Sequence, residues 1–67
     1  MRAAIGIDDW KYSVFKRRLE AAGFTIASRH QLTEESYVLS VEFEDFIKLH
    51  ETIKAANEEC ARLRKLN

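Results

Sequence analysis

His30, His50, Cys60 and the adjacent carboxylates Asp8/Asp9, Glu34/Glu35 and Glu58/Glu59 are the residues of this chain whose types come nearest to a reactive set. Their spacing works against reaction. Neither histidine has a second His or Cys at metal-ligand spacing, so no metal site is expected. Neighbouring side chains diverge on any regular element and do not close on one bond as a glycosidase pair does. Cys60 falls on an apolar helical seam, where a thiol is read as a small buried hydrophobe, and a nucleophile would need an activating base nearby. Gly6 and Gly23 stand alone, which excludes a phosphate-cradling loop. The chain is therefore expected to be no enzyme, to hold no metal and to need no cofactor.

What remains is contact. Asp8, Asp9 and Trp10 form an acidic-aromatic corner, and a tryptophan there either pins a helix to a sheet or stands out as an anchor for another protein. Packing is the favoured reading of the two. Glu58, Glu59 and Arg62 offer a second charged surface near the C-terminus. The basic run Lys16-Arg17-Arg18 reads as a solvated face, and carries the weaker alternative of a nucleic-acid contact.

Composition narrows the partners. The 67 residues carry 11 basic and 11 acidic side chains, a net charge of zero. Bulk attraction to nucleic acid or to an anionic membrane is absent, as is the long-range repulsion that opposes self-association. With 46% hydrophobic residues the chain is apolar enough to fold, as a single domain over 1–67 near the lower size limit for one core. A lone cysteine fits a reducing cytoplasm. No apolar run approaches the roughly 20 residues of a membrane span.

The elements that must position these groups follow from periodicity. Ala3, Ile5 and Ile7 alternate with smaller or polar residues and predict a first strand. Asp8 and Asp9 are expected to cap the helix that follows, along which Tyr12, Phe15, Leu19 and Ala22 recur at helical spacing. Gly23 sits where a left-handed residue closes a helix, with Phe24 placed to fold back on Leu19. Phe24 and Ile26 open a second strand of about six residues, and the polar His30–Glu35 stretch reads as a loop. Tyr37, Leu39, Val41 and Phe43 form the strongest strand signal. Asp45 is expected to cap a long helix with the seam Phe46, Leu49, Ile53, Ala56, Cys60 and Leu63.

Strand, helix, strand, strand, helix predicts an α+β fold: one βαββα domain, ferredoxin-like but lacking the last strand. Its three-stranded antiparallel sheet would run in order 1-3-2, with both helices on one face. The open face is expected to carry Ala4, Gly6, Thr25, Ala27, Val38, Ser40 and Glu42, with Arg2 and Arg29 as its cations. No aromatic lies there to stack a base, which argues against nucleic acid. The first strand would form an edge open to strand addition. A homodimer joined through Ile5 on that edge, or through Cys60 and Leu63 where the last helix overhangs the sheet, is the structural alternative.

Gly6-Ile7-Asp8-Asp9-Trp10-Lys11, then Phe15, Leu19 and Ala21-Ala22-Gly23-Phe24, resemble a group of short phage and prophage proteins without assigned activity. Leu32-Thr33 and Ala55-Ala56-Asn57-Glu58-Glu59-Cys60-Ala61 fit the same pattern, so the resemblance covers most of the chain. Tyr12-Ser13-Val14 departs from it, where a more apolar Leu-Pro-Ile-like run is expected. The resemblance implies phage or prophage origin and, by analogy, a stoichiometric inhibitor of a host defence complex such as an anti-CRISPR protein.

Overall fold

The computed structural model describes residues 1–66, of Leu66 the backbone only. Its elements are β1 (Arg2–Asp8), a 3-10 turn (Asp9–Lys11), α1 (Tyr12–Ala21), β2 (Thr25–Thr33), β3 (Ser36–Glu42) and α2 (Phe46–Leu66). The strands form one antiparallel sheet in the order β1-β3-β2. The fold is α+β, with the expected strand order. The inward residues of the sheet, Ile7, Leu39 and Val41, pack with Val14, Phe15 and Leu19 of α1 and Leu49, Ala56 and Cys60 of α2. Burying each of the larger aliphatic or aromatic side chains contributes about 1.5–3 kcal/mol, and this layer is the core. The helices run antiparallel, for Arg64 of α2 lies at the start of α1 while Lys48 lies near Ala22 at its end. No helix among the described residues is long and apolar enough to cross a membrane.

Two helix ends are written locally. Gly23 adopts φ +91°, its N–H donates to the Glu20 carbonyl at 3.0 Å, and the Phe24 N–H donates to the Leu19 carbonyl at 2.9 Å. That pair of bonds is the Schellman ending, and it satisfies carbonyls that α1 leaves free. At the start of α2 the Lys48 N–H donates to Asp45 Oδ1 at 3.1 Å, as capping requires.

The start of α1 differs from expectation. Neither Asp8 nor Asp9 caps it with a side chain; a 3-10 turn leads directly into the helix through the Tyr12 N–H, which donates to the Asp9 carbonyl. Asp8 belongs to the β1–β3 ladder opposite Ser36, so the strand register sets its direction.

β2 also departs from the sequence reading. It continues through His30 to Thr33, and only Glu34 and Glu35 turn the chain. Residues 29–33 are all exposed, so no apolar alternation marked them as strand; backbone pairing to β3 holds them. The turn is braced by Thr33 Oγ1, which lies 2.7 Å from Ser36 Oγ and accepts from the Glu35 N–H at 3.2 Å.

The register holds a second surprise. Ile26 pairs with Val41 but Ser28 pairs with Ser40, so Ala27 is an extra residue, a bulge. One added residue exchanges the two faces of everything after it. Arg29, expected on the open face, is thereby paired with Leu39 on the helix-covered side. His30 takes its place among the open-face residues, opposite Val38.

The phase of the β1–β3 bonds is fixed at both ends. The Phe43 N–H donates to the Met1 carbonyl, and the Asp9 N–H to the Glu35 carbonyl, each at 2.8 Å. Both lie in register with the ladder that pairs Arg2 with Glu42 and Asp8 with Ser36. Bonded and non-bonded pairs alternate in antiparallel sheets. Ala3, Ile5 and Ile7 therefore turn their N–H and C=O groups toward β3, while those of Arg2, Ala4, Gly6 and Asp8 face away from it.

Candidate protein-binding site

The corner predicted from Asp8, Asp9 and Trp10 is a real junction of three elements. β1 ends at Asp8, the 3-10 turn carries Asp9 and Trp10, and the β2–β3 turn is tied to it by the Asp9-to-Glu35 backbone bond. Glu34 and Glu35 join the aspartates at this end of the molecule. Trp10 is 43% exposed. It contributes little to the core and much to the surface, against the favoured packing reading.

Its ring is nevertheless held. Lys11 Nζ lies 5.4 Å from the ring centroid, and the Arg64 guanidinium, from the last turns of α2, lies 5.9 Å away. Cations over an indole face are attracted by its quadrupole, by about 0.5–1 kcal/mol each at exposed sites. The end of α2, whose length predicts turns that overhang the sheet and cover the first helix or fray, closes over the start of α1. A half-exposed aromatic with limited freedom loses less entropy when it docks than a loose one.

Glu59 is committed within the chain. It accepts from Arg18 Nε at 2.7 Å and is also paired with Arg17, and its side chain is only 16% exposed. Bonding to Arg18, helped by the charge of Arg17, holds its carboxyl below the usual glutamate range against the opposing effect of burial. The basic run at 16–18 is accordingly an interhelical clamp in two of its three members, while Lys16 is exposed and has no such partner among the described residues.

Cys60, read as a small buried hydrophobe and only in the dimer alternative as a seam contact, is fully buried in the core and offers a partner no surface. Burial pushes its thiol pKa up, the effect of Glu59 adding and that of Lys11 subtracting, so it is a poor nucleophile. Leu63 is 42% exposed beside it on the same helix. Glu58 and Arg62 are exposed as well. Glu58 lies on a flank of α2 with His50, Ile53, Lys54, Asn57 and Ala61. Ile53 and Asn57 also border a shallow cleft of about 280 Å³ against Ile5 and Ile7 of β1.

Arg29 was missed as a structural residue. Its guanidinium lies 4.7 Å from the Tyr12 ring and 5.1 Å from that of Tyr37, and the two rings are 5.9 Å apart. Only the bulge at Ala27 brings it there, and no residue type announces a bulge. Among the described residues no group of three or more His, Cys, Asp or Glu side chains is placed to hold a metal ion. In comparisons with known proteins, no family model, no curated protein and no solved structure matches this chain.

Proposed function

We propose that this chain is a non-enzymatic protein-binding module that acts by occluding the surface it docks on. The observation that carries the reading is Trp10: a large aromatic, 43% exposed, steadied by Lys11 and Arg64, on a turn that follows Asp8 and Asp9 and is bonded through its backbone to the Glu34-Glu35 turn. Rigid aromatic anchors dominate binding energy at protein interfaces, and acidic residues at the same end of the molecule favour a partner with basic groups beside an apolar socket. The resemblance to short phage proteins makes the concrete partner a subunit of a host defence complex, such as a CRISPR effector, in the bacterial cytoplasm. Glu58 and Arg62 of α2 supply the secondary contacts.

Affinity capture of the tagged protein and of its Trp10→Ala variant from bacterial host lysate tests this. The expected result is stoichiometric recovery of a defence-complex subunit by the first and not the second, with the melting temperature unchanged. An anchor of this kind is worth about 2 kcal/mol or more, roughly a 30-fold loss of affinity on truncation. Equal recovery by both proteins, or a variant that no longer folds, would remove Trp10 as the anchor.

A further inference from the structure

We infer that β1 is a self-association edge, and that its occupant is the β1 strand of a second copy of this chain, paired antiparallel about a two-fold axis through Ile5. The inference stands apart from whatever docks on Trp10. It begins with the backbone. Arg2, Ala4, Gly6 and Asp8 point their N–H and C=O groups away from β3, and among the described residues no strand lies on that side of β1. The register with β3 is unbroken from Arg2 to Asp8, so this edge is straight. Edges are ordinarily blunted by bulges, prolines or charged side chains along their length. Here charge occurs only at the two ends, as Arg2 and Asp8.

Those two charges specify the partner. Outward-facing residues must meet outward-facing residues, so few two-fold registers are open to a β1–β1 pair. The one centred on Ile5 sets Arg2 against the partner's Asp8, Ala4 against the partner's Gly6, and Ile5 against the partner's Ile5. Every outward N–H and C=O between Arg2 and Asp8 then finds a bonding partner. The two salt bridges arise together because a two-fold interface repeats each contact.

The open face agrees. Arg2 already pairs with Glu42 of β3 at 2.9 Å. In the dimer it would lie between Glu42 and the partner's Asp8, so charges alternate across three adjacent strands. Sliding the register by two residues either way sets Ala4 or Gly6 against its own copy and leaves both Arg2 and Asp8 without an opposite charge across the pair. On the helix side Ile5 meets its counterpart beside the cleft bordered by Ile53 and Asn57. The adjoining α2 flank carries Lys54 and Glu58 one turn apart, an arrangement complementary to itself when inverted. Gly6 fits as well: it lacks a positive φ, and a Cβ placed on it would meet nothing within 4 Å in its own chain. Its own fold does not call for glycine there, whereas close approach of another backbone does. Pairing would join the three-stranded sheets into one continuous six-stranded sheet.

Light scattering after gel filtration, with Asp8→Arg and Arg2→Asp as separate proteins, tests the register itself. The wild type is expected to be dimeric. Each variant alone sets like charges opposite each other at both ends and should weaken the dimer at least about tenfold. Mixed in equal amounts, the two variants should form a heterodimer, because both end pairs become attractive again. Far-UV circular dichroism establishes that each variant is folded. If one is not, loss of the wild-type dimer between low and high salt serves as the second reading, since exposed ion pairs are screened. A wild type monomeric at about 0.5 mM, far above the affinity of a functional dimer, overturns the inference. So does a dimer that survives both reversals, or variants that stay monomeric when mixed.

Discussion

β1 and β2 are the two margins of one sheet, and they meet solvent in opposite ways. β2 is broken by irregularities at Ala27 and Leu32 and carries Arg29, His30 and Gln31 along its length. β1 runs without a break and shows small side chains between its terminal charges. Bulges and charge along an edge frustrate pairing with another strand, and a straight small-residue edge invites it. Two strands bonded to the same centre thus differ in what they permit: one closes the sheet and the other leaves it extendable. The bulge serves the interior as well, since it sends Arg29 across to Tyr12 and Tyr37.

Proline separates the margins most sharply. The Val38 and Ser40 backbone groups face β2, so the His30 N–H is bonded in the ladder, while the Ala4 N–H points away from β3 and takes no part in the ladder of its own chain. In denaturant titration at a concentration where the chain is monomeric, His30→Pro should destabilise the fold by about 3 kcal/mol or more and Ala4→Pro by less than about 1 kcal/mol. Equal losses would show that β1 is not an open edge.

Arg29→Ala should cost about 1–2 kcal/mol by loss of two aromatic contacts, with the sheet retained. No effect on the melting temperature would mean that the bulge guards the edge and nothing more. The smallest effect belongs to the helical layer that both margins share. The Glu59 carboxyl is held low by Arg18 and Arg17, so its stabilisation is present above the ordinary glutamate value of about 4.3 and is lost as pH falls through the lower folded value. Glu59→Gln should flatten that acid limb of the melting curve, and an unchanged acid limb would discard the clamp.

The features legible in the sequence are those decided by one or two residues. Gly23 announced its left-handed turn and Asp45 its cap, because the backbone demand and the residue that meets it are adjacent in the chain. The period of β3 announced the central strand because apolar burial on one side repeats every second residue. Three features were hidden because distant partners decide them. His30 and Gln31 are held by pairing with β3 and not by apolar burial, the Ala27 bulge depends on where β3 needs its bonds, and the exposure of Trp10 depends on how α2 packs beside it. Asp8 and Asp9 looked like caps because of their type, but the ladder with β3 had a prior claim on the first of them.

The register also dictates an order of events. β2 meets β3 across separations that begin at three residues, Thr33 with Ser36, whereas β1 meets it across 28 to 40, Asp8 with Ser36 and Arg2 with Glu42. Closing the longer loop carries the larger entropic cost, so the hairpin assembles first and the N-terminal strand arrives last. During refolding, amide protons on the central strand should gain protection in two sets: Val38 and Ser40 early, Leu39 and Val41 late. Until that second step the nascent chain displays β3 itself, the most apolar strand it has, and the late arrival of β1 exchanges that hazard for a milder one.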